Sequence, residues 1–510
     1  MPRLFRPVLV TAAVLVAVGA SAFHIVARRL EHRIAERLEA ESVRLGVRAR
    51  TEDIRVSLWP SVRLSNLTVE KPGVWRAHLD YASVTLRPWG RLGWDWVRHV
   101  SVGAVTMTLP AGAVLRVNPS VWEALPGPSI RLRNPTEGLT IRTASGPEGQ
   151  RIDVEAARLA AGRLGRLVLE GQEVPDLGVV DGEAHVRRQS AGLQLVWHLV
   201  GMGTDTRGKA TVAGAPDESR LDLALEIARL DFAELLAALG LEPPPETEGL
   251  GSLSGTVSVI GPLAEPASLV VRDWLRFRPP ARLPGAVGRL RGDFTQEVVT
   301  NDGAKRTIEV SPASPDFIAL ADVPPLFVQT LFLGEDAAFY SHPGVDLGEL
   351  PKALATNWAR AAAARGGSTI TQQLAKNLFL SREKSLHRKL RELALAFLLE
   401  SALGKDRILE IYLNVIEWGP GLYGLRPAAR HYFGKGPSAL SAKETAFLVA
   451  LIPGPVKYQR SFAEGALSPG FEPLVMNLLA KLRSVEGLTE DEYAAAVSET
   501  LAFKRPEEGP

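Results

Sequence analysis

Three textures of apolar and polar positions succeed one another along the chain. Val8 to Val26 is an uncharged run of about 19 residues, enough to cross the ~30 Å hydrocarbon core of a bilayer as a helix. Residues 29 to 45, "RLEHRIAERLEAESVRL", then set Leu30, Ile34 and Leu38 at helical spacing among charges. From there to about residue 290 the period shortens. Runs such as "IRVSLWPSVRLSNLTVE", "AVTMTLP", "GLTIRTA" and "GSLSGTVSVIG" alternate and are punctuated by Gly, Pro and Asn, which predicts strands and turns. Beyond about residue 321 apolar residues recur every three or four positions, in "PPLFVQTLFLGEDAAFY", "STITQQLAKNLFL", "LHRKLRELALAFLLESALG", "DRILEIYLNVI", "SAKETAFLVALI" and "EPLVMNLLAKLRSV". That period predicts helices, and Thr489 followed by Glu492 predicts a capping box at the start of the last one.

The pattern implies a multidomain chain: a tail at 1–7, a membrane anchor at 8–27, a β-rich region at 28–290, a linker at 291–305 and an all-α domain at 306–510. The Pro-rich stretch "RFRPPARLPGAVGRL" marks the break between the last two textures. Arg3 and Arg6 ahead of the apolar run place the N-terminus in the cytoplasm and send the rest across. Ala20-Ser21-Ala22 also resembles a cleavage site, so a removable leader is the competing reading. The run continues past Ala22 to Arg28-Arg29, which favours an uncleaved anchor.

Composition narrows the chemistry. There are no cysteines among the 510 residues, which excludes disulfides, thiolate metal sites and cysteine nucleophiles. A net charge of +2 argues against a dedicated nucleic-acid binder. The candidate chemistry lies in the helical half. In "GGSTITQQLAKNLFLSREKSLHRKLRE", Ser368 and Thr369 lead into a helix that carries Gln372, Gln373 and Lys376, and Lys384, Arg388, Lys389, Arg391 and Glu392 follow. Six cations between 376 and 391 face only Glu383 before Glu392. Such a cluster beside an amide-rich helix and a helix N-terminus suits a polyanion, above all a diphosphate, although a solvated charged face fits the same spacing. In "LFLGEDAAFYSHPG" the acids Glu335 and Asp336 end an apolar helix, whose burial would lift the pKa of Glu335 toward the range of a general base. One proton-accepting carboxylate together with cations for a departing diphosphate makes a coherent glycosyl-transfer site.

Glu335-Asp336-x-x-Phe339-x-x-His342-x-Gly344, "GGSTITQQLAKN", "RKLRE", "ILEIYLNVIEWG" and "ALSAKETAFLVALIPGP" occur in that order. Together they resemble the successive signatures of glycosyltransferase family 51, the peptidoglycan glycosyltransferases, over roughly residues 306 to 500. "EWGPGLYGLRPAARHYFGK" is similar to the monofunctional, membrane-anchored members. The β-rich half resembles the AsmA-like family through "DIRVSLWPSVRLSNLTV" and "GSLSGTVSVIGPLAEPASLVV". A spacer role and a lipid- or partner-handling role are both open for that half.

The first resemblance implies a lysozyme-like all-α domain that polymerises lipid II, with Glu335 as general base and Glu392 as a second functional carboxylate. Lys352, Ser368, Gln372, Gln373, Lys376, Lys384, Arg388, Lys389 and Arg391 are the implied ligands of diphosphate and sugar. Asp336, Phe339 and His342 read as support, and Asn414 and Glu417 as structural. The implied cofactor is a loosely held divalent cation, Mg²⁺ or Mn²⁺, near Glu392, because a hard cation matches carboxylate and diphosphate oxygens. Implied partners are lipid II, undecaprenyl-diphosphate-linked glycan, the inner membrane and other cell-wall synthesis proteins, with the bulk of the chain in the periplasm. Two rival readings remain: a muramidase-like lytic glycosidase and a non-catalytic envelope scaffold. The sequence departs from the family pattern in the alanine-rich "LPKALATNWARAAAARGG" and in the length of the β-rich insert.

Overall fold

The alternating texture of the first half becomes antiparallel sheet in the computed structural model, which describes residues 27–504 with interruptions, the longest at 87–96 and 352–366. The expected anchor lies outside the described residues but for its last position. Among the described residues no helix is long and apolar enough to cross a membrane. The chain divides into two compact units, residues 1–230 with 237–241, and residues 231–236 with 242–510.

The first unit begins with a helix over residues 27–43 and continues through strands β1 (Arg48–Arg50) to β17 (Arg220–Asp231). Hairpin pairing dominates. Strand β3 (Ser61–Lys71) pairs with β4 (Trp75–Leu86), and β4 then divides its length between β5 (Val97–Val102) and β6 (Val105–Thr108). Later, β14 (Val179–Gln189), β15 (Gly192–Gly201), β16 (Thr204–Ala213) and β17 form a continuous antiparallel meander. Its register puts Val186, Leu195, Ala210 and Leu223 in one row and Ala184, Trp197, Gly208 and Leu225 in the next on the same face. The opposite face carries Glu183, His198, Arg207 and Glu226. Gly208 is required beneath Trp197, because a Cβ there would lie 2.3 Å from the indole ring. Alternation therefore encodes the two faces of the sheet, as the period of two demands.

In the second unit, residues 232–236 of α1 (Phe232–Ala238) and the hairpin of β18 (Ser252–Pro262) and β19 (Val270–Arg278) join the helical domain. The expected boundary at residue 290 thus falls differently. The physical reason is an aromatic stack, in which Phe277 lies 5.7 Å from Phe397 and Phe232 lies 6.1 Å from it, centroid to centroid. The expected linker at 291–305 is likewise folded: β20 (Phe294–Val299) pairs with β21 (Lys305–Val310), and the Gln296 amide donates to the Leu378 carbonyl.

The helices follow as α2 (Pro325–Glu335), α3 (Ile370–Phe379), α4 (Leu386–Ala402), α5 (Lys405–Val415), α6 (Leu425–Phe433), α7 (Ala442–Leu451), α8 (Glu472–Ser484) and α9 (Glu490–Ser498). Two short strands, β22 (Glu417–Gly419) and β23 (Leu422–Tyr423), lie between α5 and α6. Helix α7 is buried all round from Lys443 to Leu451 and packs between α2 and α8, as expected of a helix apolar on every side. Its buried Lys443 donates to the carbonyls of Val497 and Glu499 at the C-terminal end of α9, where a cation satisfies orphan acceptors. The capping box expected at Thr489 is present, with Glu492 returning the bond.

Candidate active site

Helix α2 starts on Pro325, whose missing N–H costs nothing at a first turn, and buries Phe327, Thr330 and Leu331. Glu335 is its last residue, and Asp336 leaves the helix with φ −162°. The two neighbouring acids therefore diverge. Glu335 turns to α3, where its Oε2 accepts a hydrogen bond of 2.7 Å from the Gln373 amide. Burial raises the pKa of Glu335, and the Gln373 bond and the charges of Lys376 and Lys481 only partly oppose it.

Asp336 is buried and caps α3 from outside the helix. Its Oδ2 accepts from the Ile370 N–H at 3.0 Å and its Oδ1 pairs with His342 Nε2 at 2.9 Å. His342 Nδ1 accepts the Gly344 N–H, so the ring proton sits on Nε2 and is donated to Asp336. Gly344 has φ +94°, and a Cβ there would lie 2.8 Å from Glu400 Cγ and 3.1 Å from the Ala396 carbonyl. The Gly344 carbonyl in turn accepts the Thr369 hydroxyl at 2.6 Å. Phe339 is buried between these contacts, stacked on Phe332 and covered by the Lys405 ammonium. The loop from 336 to 344 is thereby stapled to the N-terminus of the helix that carries Gln373.

Thr369 and Gln372 close a capping box at that N-terminus, which commits the buried Gln372 side chain to the Thr369 N–H. Gln373, one residue on, instead bridges Glu335 and Tyr412, whose hydroxyl donates to its Oε1 at 3.0 Å. Lys376, one turn further, lies within electrostatic reach of both Glu335 and Glu392. Burial lowers its pKa, and the neighbouring Arg388 and Lys389 add to that against the pull of the two carboxylates.

On α4, Glu392 is buried and binds Arg388 and Lys389 together. The Lys389 ammonium also donates to Ser368 Oγ at 2.6 Å, tying the cation pair to the loop ahead of α3. Lys376, Arg388, Lys389 and Ser368 therefore gather around Glu392. Arg391 does not join them, since its Nε donates to the Glu242 carbonyl at 2.7 Å. Lys352 and Lys384 lie outside the described residues. Both carboxylate oxygens of Glu392 are taken by cations, and among the described residues no group of three or more metal-ligating side chains occurs. Among the described residues, Glu392 therefore stands without further carboxylate or histidine side chains grouped around it as in a protein cage for a divalent ion.

Sequence reasoning missed Tyr412, because in "ILEIYLNVI" it occupies a position that the helical period assigns to the core, and the period carries no signal for a buried hydroxyl. It also missed Lys481, whose ammonium reaches the Leu333 carbonyl from α8 and contributes to the field at Glu335. Asn414 is a brace: its amide oxygen accepts the Ile318 N–H and its nitrogen donates to the Ile318 and Glu410 carbonyls.

The helical domain thus sets a half-buried carboxylate at one helix end beside a cation cluster, and comparison with known proteins gives its family. Residues 304–468 match the family model described as Transglycosylase. The chain is 41% identical over 182 residues to a biosynthetic peptidoglycan transglycosylase of Nitrobacter winogradskyi, covering 36% of this chain and 78% of that protein. The protein of the same name from Nitrosospira multiformis is 40% identical over 168 residues, covering 33% of this chain and 71% of the relative. That of Nitrosomonas eutropha is 52% identical over 124 residues, 24% of this chain and 51% of its own length. The chain belongs to the family of biosynthetic peptidoglycan transglycosylases. Its β-rich first unit lies outside the matched residues.

Proposed function

We propose that the chain polymerises lipid II into β-1,4-linked glycan with inversion at the anomeric carbon, releasing undecaprenyl diphosphate. The observation that carries this reading is Glu335, half-buried at the end of α2 and bonded to Gln373, with Lys376 in reach of both it and the Arg388–Lys389–Glu392 cluster. Glu335 takes the proton of the acceptor 4-hydroxyl as that oxygen forms its bond to the donor C1. The C1–O bond to the diphosphate breaks, and the leaving oxygen keeps the electron pair. Lys376, Arg388 and Lys389 offset the charge that develops there, which is electrostatic stabilisation of the transition state. Glu392 acts by holding Arg388 and Lys389 in place. A divalent cation, Mg²⁺ or Mn²⁺, would have to be carried by diphosphate oxygens, and no step here runs through it.

A lytic glycosidase needs two working carboxylates about 5–9.5 Å apart. Here Glu392 is engaged by two cations and Asp336 by His342 and the Ile370 N–H, so neither is available as the second. The chain is further proposed to be a single-pass inner-membrane protein with its bulk in the periplasm, working beside other cell-wall synthesis proteins. Its first unit is proposed to be an AsmA-like spacer. Incubation of the full chain with purified lipid II tests the activity. Growth of glycan that is abolished by Glu335→Gln is the expected result. Cleavage of preformed glycan without growth would overturn it.

A further inference from the structure

The β18–β19 hairpin presents two unlike faces. One packs inward: Leu253 is buried, and Phe277 stacks on Phe397 of α4. Asp273 shares that register and lies within electrostatic reach of His342 and Asp346, so the hairpin sits beside the Asp336–His342 corner. The other face points to solvent. Along β19 it carries Arg272, Trp274, Arg276 and Arg278, at the two-residue spacing that keeps them on one side. Directly opposite on β18 stand Ser258, Thr256, Ser254 and Ser252. The ladder therefore offers no carboxylate to this face, and among the described residues none of the three arginines forms an ion pair. Trp274 is 66% exposed.

The same face ends in a tip that is aliphatic but for the exposed Glu265, whose carboxylate accepts from the Ser268 hydroxyl. Ile260 and Val270 are cross-strand partners, 42% and 53% exposed, and Leu263 in the connecting turn is 40% exposed. An indole between guanidinium groups, with aliphatic side chains and a single carboxylate, Glu265, at the end of the ribbon, matches the layering of a membrane surface. Arginine meets lipid phosphate, tryptophan occupies the headgroup level and aliphatic groups enter the acyl boundary. A polyanionic strand in water would use the arginines and the tryptophan but would leave the tip unexplained.

We propose that the outward face of the β18–β19 hairpin is a docking surface for an anionic phospholipid bilayer. The assignment stands on the hairpin alone and is independent of the reading of the active site. The test uses the absence of cysteine from the chain. Val270→Cys in the full chain gives one site for an environment-sensitive fluorophore. On vesicles of phosphatidylethanolamine and phosphatidylglycerol its emission should shift to the blue and be quenched by lipid-borne nitroxide. Each arginine near an anionic surface contributes about 1 kcal/mol, or roughly a factor of five. Arg272→Gln, Arg276→Gln and Arg278→Gln together should therefore lower the ratio of docked to free hairpin about 100-fold. Added salt should weaken docking of the parent in the same direction, which checks the charge dependence without any change of fold. A probe that stays aqueous on these vesicles overturns the proposal. So does a blue shift that neither the substitutions nor salt alters, or a response to soluble glycan strands in place of vesicles.

Discussion

Gln373 is held against Glu335 in one orientation: its Nε2 donates to the Glu335 carboxylate at 2.7 Å while its Oε1 accepts the Tyr412 hydroxyl at 3.0 Å. A flipped amide would set oxygen against carboxylate. Tyr412 is fully buried, and burial, reinforced by the charges of Glu335 and Asp336, raises its pKa well above the usual phenol range. It is a donor at every working pH, so the chain of bonds runs one way, from Tyr412 through Gln373 to the Glu335 carboxylate.

Tyr412→Phe should therefore impair the base without touching substrate. Losing one hydrogen bond in such a chain is worth about 1 kcal/mol, or roughly five- to tenfold in rate. The expected outcome in a lipid II polymerisation assay is a lower kcat, a KM within about twofold of the parent, and an acid limb displaced upward in pH. A variant with parental kcat and an unmoved acid limb would remove Tyr412 from the mechanism.

The pH profile should be a narrow bell. Glu335 must be ionised to accept a proton, and its pKa is raised, mainly by burial, so activity should fall as pH drops through a value above the ordinary 4.5. Lys376 must keep its proton to offset diphosphate charge, and its pKa is lowered, again mainly by burial, so activity should fall on the alkaline side sooner than an ordinary lysine at 10.5 would dictate. Lys376→Arg should move the alkaline limb upward, because guanidinium does not titrate in this range. An alkaline limb unmoved by that substitution would separate Lys376 from the charge it is assigned to balance.

Glu335→Gln should cost about 10²–10⁴-fold in kcat and yet raise thermal stability near neutral pH. The sign follows from linkage. Because the folded-state pKa of Glu335 is raised, the folded protein binds this proton more tightly than the unfolded chain does. Stability then declines as pH rises from the unfolded to the folded pKa, and above both the fold carries the cost of a desolvated carboxylate. A neutral amide avoids that cost. Thermal unfolding of both proteins at several pH values checks this, and a variant less stable than the parent at neutral pH would contradict it.

How far the site could be read from residue order depends on the kind of interaction. Glu335, Gln373, Lys376, Arg388, Lys389 and Glu392 could be singled out as candidates because their residue types and order repeat a chemical theme, an acid followed by cations on successive helices, and the fold brings them near one another. Their division of labour could not be read that way. Gln372 and Gln373 are adjacent and chemically identical, yet one closes a cap and the other holds Glu335, and only the orientation of the first turn of α3 separates them. Arg391 belongs to the same run as Arg388 but faces the Glu242 carbonyl, a partner 149 positions away. For the fold, periodicity predicted strands and helices well. It could not assign residues 242–290 to the helical unit, because what places them is contact between Phe277 and Phe397 and not any local pattern.

Glu392→Gln should release Arg388 and Lys389 together. The Glu392 and Arg388 side chains are 3% and 16% accessible, a regime in which removing one partner of an ion pair costs about 3–5 kcal/mol. Lys389, at 39%, is better screened and contributes less. The expected result is a lowered melting temperature together with weaker retention of diphosphate-bearing substrate, read as a raised KM. Unchanged stability and KM would show that the two cations hold their places without the carboxylate.

Asp336→Asn should disturb the site through the helix that carries Gln373. The carboxylate accepts from the Ile370 N–H on one oxygen and from His342 Nε2–H on the other. An asparagine can keep one of these bonds and then turns its NH₂ toward a second donor. His342 cannot escape by moving its proton, because Nδ1 already accepts the Gly344 N–H. One buried polar group is left unsatisfied whichever way the amide turns, at a cost of about 1–3 kcal/mol, and α3 also loses a negative charge at its N-terminus. Thermal unfolding should show that loss, kcat should fall, and the acid limb should move to lower pH, since the charge of Asp336 is one of the causes that raise the pKa of Glu335. A cycle with His342→Ala should give strong coupling, because once the imidazole is absent the substituted amide meets no opposing donor there. Additive losses in the two single variants would mean that Asp336 and His342 act separately.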